Sequence, residues 1–254
     1  MPAEPPPPPA EPVPPPAPPP QTVETAAPAP TSTLDRGVVE DANSGRGWLA
    51  PTALTAPAGT WTFSDFELLV VSAGYSVTDE IQISASTLLP IVSDMPLWVL
   101  LNGKAQVIKA GRVRGAVQAA LTHVSADGDG ASALQVGGAL TYCIDADCHS
   151  HVSGFLGAGF AHEDQSAVPF VVAATGAFRL GKHIKLILEA DTGFIAGEID
   201  AVADGFLGWY GVRFTSSFLG VDLGFMKPIC DDCGSDELPM GIPFVSFSYR
   251  NLKE

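Results

Sequence analysis

The chain has 254 residues, 46% of them hydrophobic and only 16% charged, which is little charge for a water-soluble domain and enough length for one large β domain. No apolar run approaches the roughly 18 residues a membrane-crossing helix needs. The net charge of −15 argues against nucleic acid as a partner.

Fifteen of the 23 prolines fall in the first thirty residues. Met1 to about Thr33 cannot build a core and reads as an extended, polyproline-like tether, and Asp35 to Arg46 as polar and irregular. Residues 1–46 are thus expected to be a disordered Pro-rich tail, and 47–254 the β domain. Met1 runs straight into prolines, with no basic n-region or apolar h-region. An exported chain needs such a signal, so it has been removed, or the start lies elsewhere, or the chain is not exported.

From Trp48 the sequence reads as strands. The expected order is Trp48 to Leu54, Thr60 to Val77, Ile81 to Ile91, Leu97 to Ile108, Val113 to His123, Ser132 to Cys143 and Val152 to His162. A long hairpin over Val168 to Asp191 follows, turning at Gly181-Lys182-His183, then Phe206 to Thr215, Leu219 to Lys227 and Phe244 to Leu252. That makes about twelve strands. In the hairpin, Ile184, Leu186, Leu188 and Ala190 alternate with Lys185, Ile187, Glu189 and Asp191. A period of two gives each strand an apolar face and a polar one. A soluble sandwich buries the apolar face, whereas a membrane barrel turns it to lipid and the polar face to a lumen.

The turns favour the barrel. Every second connection is short: Thr78-Asp79, Ala110 to Arg112, Asp145 to Asp147, Gly181 to His183, Ser216-Ser217. The later intervening ones, Ser125 to Ala131, Glu163 to Ala167, Thr192 to Gly205 and Pro228 to Gly241, are longer. Alternation of this kind belongs to up-and-down barrels with short periplasmic turns and longer outer loops. Tyr75, Tyr142, Phe178, Phe214 and Tyr249 all lie on the apolar face near the short turns, as an aromatic girdle would. The polar face supplies a lumen lining of Lys104, Gln106, Arg114, Gln118, Gln135, Arg179, Lys185, Glu189, Arg213, Asp222 and Arg250. These side chains either line an aqueous pore or pair across it. On this reading Ile187→Arg is tolerated far better than Leu186→Arg.

Two close cysteine pairs, Cys143/Cys148 and Cys230/Cys233, suit disulfides in an oxidising compartment. The alternative is a zinc site drawing on His149 and His151. His149, His151 and Ser153 could be arranged as a hydrolase, but no acid is placed with them. Asp127-Gly128-Asp129-Gly130 resembles the start of a calcium loop without its later ligands. Asp231, Asp232, Asp236 and Glu237, with Asp200 and Asp204, form acidic outer loops suited to holding divalent cations against lipopolysaccharide.

The segment LAPTALTAPAGTWTFSDFELLVVSAGYSVTDEIQIS, with its Gly74 to Asp79 turn and the hairpins after it, resembles an uncharacterised family of bacterial (myxobacterial-type) outer-membrane β-barrel proteins. The resemblance runs over Trp48 to Leu252. It implies a membrane barrel and no established activity.

The expectation is therefore an all-β, up-and-down antiparallel transmembrane barrel in a bacterial outer membrane, non-enzymatic and without cofactor or metal. It would serve as a small pore or as a structural, envelope-anchoring protein. Its partners would be outer-membrane lipid and lipopolysaccharide, with periplasmic or peptidoglycan contacts through the Pro-rich tail. The alternatives are an outer-membrane lipid hydrolase and a soluble barrel that binds an apolar ligand.

Overall fold

A computed structural model describes residues 41–91, 95–126, 129–161, 168–195, 206–230 and 239–251. Its strands are β1 (Trp61–Phe66), β2 (Val70–Ser76), β3 (Ile81–Leu88), β4 (Leu97–Ala110), β5 (Val113–Ala126), β6 (Asp129–Cys143), β7 (His151–Ala161), β8 (Pro169–Arg179), β9 (Ile184–Ile195), β10 (Phe206–Thr215), β11 (Leu219–Ile229) and β12 (Ile242–Arg250). All pair antiparallel with their sequence neighbours, and β1 closes on β12. Closure leaves no strand edge unpaired. The expected all-β, up-and-down, twelve-strand barrel is the observed fold.

Two strand assignments need correction. Trp48 to Leu54 is not a wall strand. It lies inside the barrel, with a single β-bridge between Arg46 and Pro51. Thr60 to Val77 is not one strand but the β1–β2 hairpin, so the total stays at twelve. The hairpin turns at Glu67 and Leu68, whose φ angles are 56° and 58°, and it is closed by the Leu69 N–H donating to the Phe66 carbonyl at 2.9 Å. Two consecutive left-handed residues are the signature of the hairpin turn that normally carries Asn-Gly. Glu and Leu are poor residues for it, which is why the turn is invisible in the sequence. Asp65 supports it by accepting the Leu68 N–H at 3.0 Å. Replacing Leu68 by Gly should therefore raise stability by about 0.5–1 kcal/mol, the relief of left-handed strain less the added entropy of the unfolded chain. A midpoint of urea unfolding that stays put or falls would contradict this account of the turn.

The turns at 77–80, 111–112, 144–150, 180–183 and 216–218 share one end of the barrel, hereafter the near end. The β1 start and the β12 finish lie there too. The far end carries the longer connections but also two tight ones. One is the β1–β2 turn. The other replaces the expected loop at Ser125 to Ala131, because β5 runs to Ala126 and β6 begins at Asp129.

The two faces of the wall differ as the alternation requires. Outward residues at mid-strand are apolar and open: Leu101, Val117, Leu140, Leu156, Leu188 and Leu223 are each 42–56% exposed. Inward residues include Lys104, Thr141, Thr175, Lys185, Glu189, Arg213, Asp222 and Ser246, all buried. Tyr75, Tyr142, Phe178, Phe214 and Tyr249 occupy the residue before the last in β2, β6, β8, β10 and β12, so all five sit on the outside at the near end. Trp61 and Phe218 join them, with ring centroids 4.6 Å from Tyr75 and 6.5 Å from Tyr249. The sequence reading did not pick out these two.

Candidate functional site

The lumen is occupied by the chain's own residues 41–60. Asp41 lies at the near end beside Lys185 and Arg213. From there the backbone rises to Trp48 and Leu49 beside Glu189, reverses, and returns to the near end at Thr55 and Ala58. Those two bond the β2–β3 turn at Asp79. Cross-bonds hold this re-entrant hairpin in shape: Gly47 N–H to the Ala50 carbonyl at 2.9 Å, and Thr52 N–H to the Gly45 carbonyl at 3.1 Å. Such a segment has no periodic pattern to reveal it, because its partners are wall side chains rather than a neighbouring strand.

The wall grips the hairpin by its backbone. The Glu189 carboxylate accepts the N–H groups of Trp48, Leu49 and Ala50 at 2.9, 2.7 and 3.0 Å, and the Thr175 hydroxyl at 2.9 Å. The Lys104 ammonium donates to the carbonyls of Gly45, Thr52 and Leu54 at 3.1, 3.3 and 2.6 Å. Arg213 donates to the carbonyls of Asn43, Arg46 and Gly47 at 2.9, 3.2 and 2.6 Å. Gln106 donates to the Ala53 carbonyl, and Thr141 accepts the Ala53 N–H at 2.9 Å. Buried backbone polar groups must find partners. Here the wall supplies charged ones, which make the stronger bonds.

Charge closes the near half. Arg213 forms a two-point bond to Asp222, at 2.6 and 3.0 Å, and both side chains are 1% exposed. Asp41 lies 2.8 Å from Lys185 and 3.5 Å from Arg213. Burial alone would raise the Asp41 carboxyl, but Lys185 and Arg213 outweigh it and hold it well below the usual carboxylate range. Arg46 reaches across the β1–β12 junction. It donates to Ser246 and Ser248 of β12 at 3.0 and 3.1 Å and lies 4.1 Å over the Phe66 ring of β1.

Trp48 is the apolar anchor and is fully buried. It packs with Ala177, Ile187 and Trp209, and its ring meets Phe244 edge-on at 5.4 Å. Two inward glycines make room for it: a Cβ on Gly224 would lie 2.6 Å from the Trp48 ring, and one on Gly211 2.9 Å. Ala50 and Ala53 pack on Ala116, Ala139, Phe155 and Ala173.

The expected lumen residues thus divide into groups. Lys104, Gln106, Lys185, Glu189, Arg213 and Asp222 hold the hairpin. Arg114, Arg179 and Arg250 sit at the near mouth and donate to the turn carbonyls of Gly111, Gly181 and Ser217. Gln118 and Gln135 are half-buried further along the inner face. The first six thus bind the chain's own hairpin inside the lumen. The expectation that Ile187→Arg is tolerated is also corrected: Ile187 is fully buried against Trp48, so an arginine there would displace the anchor.

Cys143 and Cys148 form a disulfide, which rules out a zinc site at that pair. Cys230 is disulfide-bonded as well, and Cys233 lies outside the described residues. Among the described residues no cluster of His, Cys, Asp and Glu could hold a metal ion. Asp127, Gly128 and the acidic residues at 200, 204, 231, 232, 236 and 237 lie outside them. His151 and Ser153 face inward, 1% and 7% exposed, and the Ser153 hydroxyl pairs with Thr141 at 2.8 Å. A hydrolase built on them would have no opening to lipid. Burial, then Lys185 and Arg179, lowers the pKa of His149 on the β6–β7 turn.

No protein-family model matches the sequence, and no curated protein matches it. Among solved structures, LpxR from Salmonella typhimurium is similar over 76% of this chain and 100% of its own length, at 8% identity and a TM-score of 0.45. The expectation that this chain is non-enzymatic is corrected accordingly and is not carried further. A likeness at this level brings neither a substrate nor a catalytic residue to this chain.

Proposed function

We propose that the chain is an integral outer-membrane β-barrel whose lumen is closed by its own 41–60 hairpin rather than standing open as a pore. One observation carries this reading: the barrel is inside out for water. Its apolar side chains form a belt around the outside, and the Lys185–Asp41 and Arg213–Asp222 ion pairs are buried within. Apolar patches on soluble monomers rarely exceed a few hundred Å². A belt on every face of a barrel calls for a surrounding apolar solvent, which hydrocarbon chains supply. The ring of Tyr and Phe at the near end suits the boundary between those chains and water, where amphipathic rings concentrate. The near end, with the short turns and both ends of the strand series, is the periplasmic one by the usual plan.

Leu188 is 42% exposed at mid-height on β9 and tests the reading. Leu188→Arg should abolish recovery of folded barrel from the membrane fraction, since Arg at mid-bilayer on the lipid face costs about 2–4 kcal/mol. Lys182→Glu, on the exposed β8–β9 turn, should assemble normally. Equal yields of heat-modifiable barrel from both variants would defeat the membrane assignment.

A further inference from the structure

The hairpin is held as a ligand is held. The wall holds residues 41–58 through side chains, apart from the Trp48 indole and the Thr55 hydroxyl, which bond the Ile187 and Asp79 carbonyls, while Gly59 and Thr60, next to β1, exchange backbone bonds with Ser76 of β2. Asp41 and Thr55 to Thr60 both lie at the near mouth, and no wall strand pairs with residues 41–58. Withdrawing residues 41–58 would break no strand-to-strand ladder.

What it covers is a basic surface in an acidic protein. The chain carries −15, yet the inner face of the described strands presents Lys104, Arg114, Arg179, Lys185, Arg213 and Arg250. Lys109, opposite Arg114, adds a seventh cation, and against them the face sets four carboxylates, Asp129, Glu189, Asp191 and Asp222. The cations gather at the near mouth. Arg179, Lys185 and Arg213 stand directly opposite one another on β8, β9 and β10, and adjacent strands are about 4.8 Å apart. The position between Lys185 and Arg213 is already occupied by an anion, the Asp41 carboxylate, at 2.8 and 3.5 Å. Leaving with the hairpin, Asp41 and Arg46 take away no net charge. The wall keeps its excess of cations, and Lys185 loses the carboxylate that neutralises it.

We propose that the 41–60 hairpin is a removable plug and that the lumen beneath it passes small anions, Asp41 holding the place between Lys185 and Arg213 that a permeating anion takes once the hairpin is withdrawn. Rings of Arg and Lys confer anion preference on pores, and low-dielectric walls strengthen it. The inference rests on the membrane reading above.

Gly47 offers a way to unseat the plug without altering the wall. A Cβ there would lie 2.0 Å from the Glu189 carboxylate and 2.4 Å from Thr175. In planar bilayers under a KCl gradient, the wild-type full-length chain should be silent. Gly47→Val should conduct, with a reversal potential showing that chloride permeates several-fold better than potassium. Adding Lys185→Gln to Gly47→Val should reduce that preference. Trp48→Ala, which loosens the anchor by removing bulk, should give brief openings of the same selectivity. Inserted Gly47→Val barrels that stay silent or prefer potassium would overturn the proposal, as would a wild-type chain that conducts as the variant does. Failure of both Gly47→Val and Trp48→Ala to assemble would also overturn it, by making the hairpin part of the barrel's indispensable core. Failure of the wild-type chain to insert would defeat the membrane reading and this proposal together, whereas silent insertion defeats only the latter.

Discussion

Glu189→Ala should free the tip of the hairpin while leaving the strands paired. It removes the acceptor for three backbone N–H groups, those of Trp48, Leu49 and Ala50, and for the Thr175 hydroxyl. Each buried donor left without a partner costs about 1–3 kcal/mol. Water can reach part of the tip, since Leu49 is 51% exposed. The expected loss of docking free energy is therefore about 3–6 kcal/mol, below the simple sum. Glu189→Gln keeps one acceptor oxygen and should fall between the two. Amide hydrogen exchange gives the answer directly: protection at residues 48–50 should collapse in the Ala variant while β8 and β9 amides keep theirs. Unchanged protection at the tip would mean that Glu189 does not hold it.

Asp222→Ala should destabilise the folded barrel by about 3–5 kcal/mol, the usual consequence of removing one member of a buried ion pair. The carboxylate takes two bonds from Arg213 and one from the Asn43 amide at 3.1 Å, and Arg46 lies 3.9 Å away. Without it, Arg213 keeps only Asp41 as a counter-charge. Replacing the whole pair by apolar residues would not restore stability here, although it often does elsewhere. Arg213 also donates to three hairpin carbonyls, and Met in its place would leave those empty. The measurement is the unfolding midpoint in lipid with denaturant. A loss below about 1 kcal/mol, the range of exposed pairs, would show that water screens the site.

The wall was legible because a two-residue period is written into nearly every strand, with the charged residues of each strand kept mostly to one face. Trp48 to Leu54 was misread because Trp-Leu-Ala-Pro-Thr-Ala-Leu alternates well enough to imitate a strand. The hairpin it belongs to makes its bonds to residues far along the chain, from Lys104, 50 positions beyond Leu54, to Arg213, 166 beyond Gly47. Nothing local announces that. One signal was nonetheless present. Phe155, Ile187, Trp209 and Phe244 interrupt the polar face of β7, β9, β10 and β12. Bulky apolar side chains turned toward a lumen need something apolar to meet, and Trp48 is what three of them meet. Mid-strand charges such as Glu189 and Lys104, with no opposite charge facing them on the neighbouring strands, pointed the same way.

Arg46 bears on the order in which the molecule comes together. The β1–β12 junction joins the first and last strands and matches only Thr62 to Phe66 with Ser246 to Arg250, whereas β5 and β6 match along their whole lengths. It is the shortest lateral contact in the ring, and the one whose two halves are furthest apart along the chain. Bringing such distant segments together costs the most loop-closure entropy and has the least ladder to recompense it. Arg46 spans this junction from within, bonded to β12 and stacked on β1. A curved sheet of β2 to β11 that has already captured the hairpin would carry its own clasp. The ring would then shut around residue 46 as the final event of folding, and would be slowest to shut in a chain whose first sixty residues arrive late.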